Sequence, residues 1–291
     1  MTPGGEGELV NMSIRLVPML CIAGALSMLA ACTNREVSSS DGAPSTLVLT
    51  GSSTVAPLAL EIGKRFESLN PGIRIDVQTG GSSRGISDLR QDLNNIGMVA
   101  RALTPDESEL VPHTIALDGI GIIVHRDNPV PALSDEQVVA IYRGQIRDWH
   151  ELGGPAFPIT VVHKAEGRST LELFLHHFRL RRDEVAAQVV IGDNEQGIKT
   201  VAGNPGAIGY VSIGTATYDA AKGVSIRLLS MNGVAATLAN LRSGAYPLAR
   251  QLNLVTGDQP TDLAQRFIDF AQSGAVQDLV SQQYFVSPSA H

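Results

Sequence analysis

Three short segments rich in glycine and hydroxyl side chains constrain this chain more than any other feature. Each sits between an apolar, strand-like run and a helix-like run. Gly80-Gly81-Ser82-Ser83-Arg84-Gly85 follows the alternating Ile73, Ile75 and Val77 and precedes Ile86, Leu89 and Leu93. Thr50-Gly51-Ser52-Ser53-Thr54 follows Leu47-Val48-Leu49 and precedes Leu58, Ile62 and Phe66, with Pro57 suited to an early helical turn. Glu166-Gly167-Arg168-Ser169-Thr170 follows Ile159-Thr160-Val161-Val162 and precedes Leu171, Phe174, Leu175 and Phe178. The first N–H groups of a helix have no partner within it, and the helix dipole is positive there. A strand–loop–helix unit therefore aims N–H groups and hydroxyls at one point, which suits an anion. Three such loops in one chain point to one shared oxyanion.

The remaining patterns alternate in the same way, so the class is α/β. Residues 96–100 read as a short strand, and Thr104-Pro105-Asp106-Glu107 opens a helix with acidic first-turn residues. Residues 114–125 form a long β-rich run whose internal Asp118-Gly119 suits a bend or a crossing between lobes. Ser134 and Gln137 make a capping box for a helix through Tyr142. Asn194 precedes a helix over 198–202, and strands are expected at 208–211 and 246–255. Leu263, Phe267 and Phe270, then Val276, Leu279 and Val280, predict two closing helices.

Composition excludes several function classes. Of 291 residues, 43% are hydrophobic and 18% charged, which is globular. A net charge of −7 opposes nucleic acid as a partner. It does not oppose a small anion, because focused dipoles outweigh a diffuse field over a few ångströms. Aromatics are 4%, too few to suggest sugar or base stacking. His113, His125, His150, His163, His176, His177 and His291 lack metal-ligand spacing, so neither a metal site nor a cofactor is expected. No Ser–His–Asp or Cys–His order stands beside the loops. A phosphatase-type hydrolase would leave Ser53 or Ser169 an unassisted nucleophile, so an enzyme is not expected.

The N-terminal region reads as a targeting segment. Arg15 precedes an apolar run over 16–28, too short to span a bilayer well. Leu29-Ala30-Ala31-Cys32 resembles the bacterial lipobox, whose cysteine becomes the lipidated first residue. Residues 1–31 are thus expected to be a signal peptide, and 32–45 a flexible Ser/Asp/Gly/Pro-rich tether. Glu6 and Glu8, with no cation in the first eleven residues, make Met12 the expected start. Cys21 lies in the apolar run and Cys32 carries lipid, so no disulfide is expected.

At its loops the chain resembles the PstS-like phosphate-binding lipoproteins of phosphate ABC transporters. The matching segments are Thr50-Gly51-Ser52-Ser53-Thr54-Val55-Ala56-Pro57, Gly80-Gly81-Ser82-Ser83-Arg84-Gly85-Ile86 and Ile96-Gly97-Met98-Val99-Ala100-Arg101. Weaker echoes are Ala116-Leu117-Asp118-Gly119, residues 133–149, and Gly206-Ala207-Ile208-Gly209-Tyr210-Val211. The resemblance implies a two-lobed, type II-like periplasmic-binding-protein fold with two crossing segments. One lobe would take 46–118 plus 228–288, the other 119–227. It also implies a monomeric, membrane-anchored periplasmic or cell-surface lipoprotein of a bacterium, which hands inorganic phosphate to an ABC permease.

Carried over position by position, the resemblance assigns Ser53 and Thr54 to the first anion loop and Ser82, with Ser83, to the second. Arg101, Lys164, Arg168, Ser169 and Thr170 complete the expected set. The third loop departs from the family: Lys164 stands for an expected Arg, Arg168 for a Ser and Ser169 for a Gly. An Asp found in some members falls near Ala100, so that acceptor is missing. Arsenate, a phosphonate and a sensor role remain alternatives. Each residue also has a plainer reading. Ser53 and Thr54 suit a helix cap, and Ser82 and Ser83 a turn. Ser169 with Glu172 fits a capping box. Arg84 suits a solvated loop, and Arg101 an ion pair with an acidic helix start such as Asp106.

Overall fold

A computed structural model describes residues 45–288. The expected signal peptide, the lipidation site Cys32 and most of the tether lie outside the described residues.

The chain begins with β1 (Ser45–Gly51), α1 (Ala56–Leu69), β2 (Ile73–Thr79), α2 (Ser82–Arg90) and β3 (Ile96–Val99). The long strand β4 (Val111–His125) follows. Next come β5 (Ala132–Leu133), α3 (Asp135–Tyr142), β6 (Thr160–Lys164), α4 (Ser169–Phe178), β7 (Val189–Ile191) and α5 (Asn194–Ala202). They lead to β8 (Ala207–Ser212), α6 (Ile213–Ala221), β9 (Ile226–Leu228), β10 (Ser230–Met231) and α7 (Leu238–Arg242). The chain returns through β11 (Ala249–Thr256), α8 (Asp262–Gln272) and α9 (Gln277–Gln282).

The main sheet runs β2-β1-β3-β11-β4-β8-β6-β7, with β9 also on β4. Strand β4 holds the two halves together. Residues 111–119 pair antiparallel with β11, and residues 120–125 pair antiparallel with β8 and β9. The strands on either side are mostly parallel, β1 with β2 and β3, and β6 with β7 and β8. Parallel strands need covering on both faces, which helices supply. Leu47, Leu49, Leu58, Ile62, Phe66, Met98, Leu254 and Phe267 form the core of the first half, and Ile86, Val99 and Val255 pack on the opposite face of its sheet. In the second half Tyr142, Trp149, Phe174 and Tyr210 build one core, while Ile123, Val162, Ile198 and Val211 build the other. The molecule is a two-lobed mixed α/β structure.

Some local expectations shift. Residues 229–248, assigned from sequence to the first lobe, pack with the second: Leu229, Met231, Leu241, Tyr246 and Leu248 share a core with Trp149 and Phe174. The Tyr246 hydroxyl donates to the Ile120 carbonyl at 3.0 Å, so the strand expected from 246 begins only at Ala249. The helix expected after Thr104 is one 3₁₀ turn, Pro105–Glu107. Strand β4 starts at Val111, which leaves no length for a second turn. The helix expected over 198–202 starts earlier, at Asn194, because Asp193 caps it by accepting from the Gln196 N–H at 2.8 Å.

Candidate anion-binding site

The first and second loops meet where β1 ends. Gly80 and Gly81 both donate backbone N–H groups to the Gly51 carbonyl, at 2.9 and 2.8 Å. Ser82 begins α2, and Ser169 begins α4 from the other lobe. The helix starts converge on a small, nearly closed cavity lined by Ser52, Ser53, Thr54, Gly81, Ser82, Lys164, Arg168, Ser169, Thr170 and Gly192. The lobes touch over it. Ser83 donates its backbone N–H to the Gly167 carbonyl at 3.3 Å. Gly81 has φ +98°, and a Cβ there would lie 2.4 Å from that same carbonyl oxygen, so only glycine permits this approach.

Below the cavity lies a buried ion pair. Arg250, on β11, and Asp118, its register partner on β4, meet through two bonds to Asp118 Oδ2, from Nη2 at 2.9 Å and Nε at 3.2 Å. Their side chains are 1% and 0% exposed. Asp118 Oδ1 accepts from the Gly214 N–H at 3.1 Å. The far side of the guanidinium serves both lobes. Nη2 donates to Thr54 Oγ1 at 3.1 Å and Nη1 to Thr170 Oγ1 at 2.9 Å. Asn194 also donates to Thr54 Oγ1, at 3.0 Å, and accepts from Lys164 Nζ at 2.9 Å.

These bonds set the direction of the hydroxyls. A hydroxyl has one proton and two lone pairs. Thr54 Oγ1 accepts from both Arg250 and Asn194, so its proton is left for the cavity. Thr170 accepts from Arg250, and Ser82 Oγ accepts from the Ala100 N–H at 3.2 Å. Arg168 Nε is buried with no hydrogen-bond partner. Lys164 is buried, and desolvation, with Arg250 and Arg168 nearby, lowers its pKa to about 7 despite the opposing pull of Asp193. Beneath it Tyr210 stacks on Phe174 at 3.8 Å, and its hydroxyl accepts from the Lys164 backbone N–H at 3.3 Å, fixing the end of β6. A larger groove of about 560 Å³ beside Thr114, Gln251 and Gln272 has no charged residue in its lining and offers an anion little.

Of the expected set, Ser53, Thr54, Ser82, Lys164, Arg168, Ser169 and Thr170 line the cavity; Ser83 and Arg101 do not. Arg101 grips Glu107 in a two-pronged pair, Nη1–Oε2 2.7 Å and Nη2–Oε1 2.8 Å, and gives Nε to Glu172 Oε2 at 2.9 Å. The ion-pair reading of Arg101 therefore holds, with Glu107 rather than Asp106. Burial pushes the Glu107 carboxyl up, but its bonds from Arg101 and Thr104 outweigh this and hold it below its ordinary value. Ser83 Oγ donates to Glu172 Oε1 at 3.2 Å. Glu172 thus reaches from α4 to two first-lobe residues, and the capping box expected with Ser169 is not formed: Arg168 is the N-cap and has no side-chain cap bond. Arg84 pairs with Asp88 at 3.1 Å on the surface. Sequence reasoning missed Arg250 and Asn194. The available signal was Arg250 itself, a lone cation inside an apolar strand run.

Residues 37–275 match the family model of the PBP superfamily domain. The phosphate-binding protein PstS of Bacillus subtilis is 30% identical over 286 residues, covering 94% of this chain and 93% of that protein. The chain belongs to the PstS-like phosphate-binding protein family. Solved members of this family share its fold. A substrate-binding protein from Clostridium perfringens with bound phosphate superposes with a TM-score of 0.78 at 30% identity, covering 84% of this chain and all of that one. A phosphate transport receptor from Vibrio cholerae gives 0.68 at 28%, with the same coverage. This PstS-like chain thus keeps the family's two-lobed frame.

Two predictions follow from the geometry. Gly81→Ala sets a Cβ against Gly167 and should hold the lobes apart. Spin labels at the exposed Leu69 and Val190 should report a longer interlobe distance than in the parent, and an unchanged distance would refute the steric argument. The second concerns Lys164. With a folded pKa of about 7 against 10.5 unfolded, its charge penalty is present below pH 7 and relieved as pH rises toward 10.5. An anion in the cavity restores the charge, so binding above neutral pH should take up a proton. Titration calorimetry in buffers of different ionisation enthalpy should show greater uptake for the parent than for Lys164→Arg, whose guanidinium stays charged.

Proposed function

We propose that this chain is a lipid-anchored, extracytoplasmic substrate-binding protein of an ABC transporter, which encloses phosphate between its lobes and delivers it to a permease. The observation that carries this reading is the cavity at the meeting of the lobes, where two helix starts, the Thr54, Ser82 and Thr170 hydroxyls, Lys164 and Arg168 converge. Such a cluster of N–H, O–H and cationic donors is complementary to a small oxyanion. The lobes close by rotation about the β4 and β11 crossing, a hinge motion that would trap and release the ligand. Binding without turnover is the reading that fits relatives named as binding and transport proteins rather than enzymes. The Bacillus and Vibrio relatives, named for phosphate binding and phosphate transport, support the same ligand here.

Titration calorimetry of the full chain, stripped of anion, should show one phosphate per chain. Thr54→Val removes a hydroxyl that two neighbours turn toward the cavity and should weaken binding by about tenfold or more, as expected for a lost hydrogen bond to a charged group. No heat with phosphate would overturn the function. Anchoring is tested separately: Cys32→Ala should move the protein from the membrane fraction to the soluble extracytoplasmic fraction, whereas retention in the membrane would refute lipidation at this residue.

A further inference from the structure

Strands β4 and β11 carry the chain between the lobes twice. A third connection follows α9. Tyr284 turns the chain with φ +54°, a left-handed conformation that a residue other than glycine holds only where its surroundings fix it. The next two residues enter different cores. Phe285, 3% exposed, joins the first-lobe core of Ile115 and Phe267. Val286, 2% exposed, joins the second-lobe core of Ile120, Tyr246 and Leu248. Neighbouring residues of an extended segment point to opposite sides, so one short stretch can serve both lobes.

Backbone bonds and close packing fix this segment beside the buried ion pair. The Leu117 N–H donates to the Val286 carbonyl at 2.7 Å, and the Val286 N–H donates to the Leu117 carbonyl at 2.9 Å. Leu117 immediately precedes Asp118. The Phe285 ring lies against Gly214, where a Cβ would come within 2.4 Å of a ring carbon and 2.9 Å of the Tyr284 carbonyl oxygen. Gly214 gives its N–H to Asp118 Oδ1. The segment therefore bears on Asp118 twice, through the strand that carries it and through the N–H that holds its second oxygen. Asp118 in turn holds Arg250, whose other donors go to Thr54 and Thr170. Resting on the phosphate-binding reading above, we propose that Phe285 and Val286 form an interlobe strap, and that Phe285 is a positioning residue for the anion site. It acts through Gly214, Asp118 and Arg250 on the two threonine hydroxyls at the cavity.

The test is titration calorimetry of the full chain with inorganic phosphate. Phe285→Ala should weaken binding by about fivefold or more, within the range for residues coupled through shared partners. Phe285→Leu keeps most of the apolar volume and should fall between that variant and the parent; it carries the test if the alanine variant does not fold. Unchanged affinity in the folded variants would overturn the strap's role. Phe267→Leu, a substitution in the first-lobe core, should bind phosphate as the parent does, and an equal loss there would assign the effect to general stability and overturn the inference. Thr54→Val should cost less in a Phe285 variant than in the parent, because both act on one hydroxyl; strictly additive losses would overturn the route through Arg250. Absence of phosphate binding by the parent would instead overturn the proposed function. Spin labels at Leu69 and Val190 would still decide the strap: the Phe285 variants should broaden the interlobe distance distribution without ligand, and an unchanged distribution would overturn it.

Discussion

The Arg250–Asp118 pair is the interaction on which the cleft depends. Two opposite charges at 1% and 0% exposure are costly to remove from water, and they persist only where both are paired and hydrogen-bonded. Here the pair lies across the two strands that join the lobes, and the guanidinium spends its remaining donors on Thr54 of one lobe and Thr170 of the other. Removing Asp118 would leave a buried cation and release both threonines. The ion pair thus joins the strands that link the lobes to the walls of the cavity, and it turns two hydroxyls toward it. That preorganisation spares the ligand the ordering cost it would otherwise carry.

A second contact layer lies outside the cavity. Glu172 extends from α4 to Arg101 and Ser83, while Glu107 holds Arg101 from behind. These residues lie against the Ser83–Gly167 contact that closes the cleft. Glu172 is partly solvated, so its ion pair is worth about 1 kcal/mol or less. A contact this weak adds little to holding the lobes together. The pairing also takes up the donors of Arg101, one residue beyond the buried Ala100, which go to two carboxylates and the Ala102 carbonyl.

Much of this was legible in the residues alone. The loops at Gly51, Gly81 and Gly167 stood out because the turns and close approaches they make restrict residue type locally. The helices of Leu58-Ile62-Phe66 and of Ser134-Gln137 were legible because helical periodicity and capping are local too. Ser53, Thr54, Ser82, Lys164, Arg168, Ser169 and Thr170, which line the cavity, were picked out by loop position and family likeness. Local reasoning failed where a side chain had a distant partner. Glu172 reads as a capping residue three positions after Ser169, yet it binds Arg101, 71 residues away. Residues 229–248 carry no signal for which lobe they join, because their apolar side chains would suit either core.

By itself, the sequence determined the α/β alternation, the three glycine- and hydroxyl-rich loops and the donor chemistry they bring, since turn conformation, helix starts and hydrophobic periodicity act over a few residues. Only the tertiary structure decided that Arg250 lies beneath the cavity, that Asn194 links Lys164 to Thr54, and that Ser83 and Arg101 serve the contact between lobes. Those roles depend on pairings across separations of 30 to 196 residues, and which cation meets which carboxylate is set by how the strands stack.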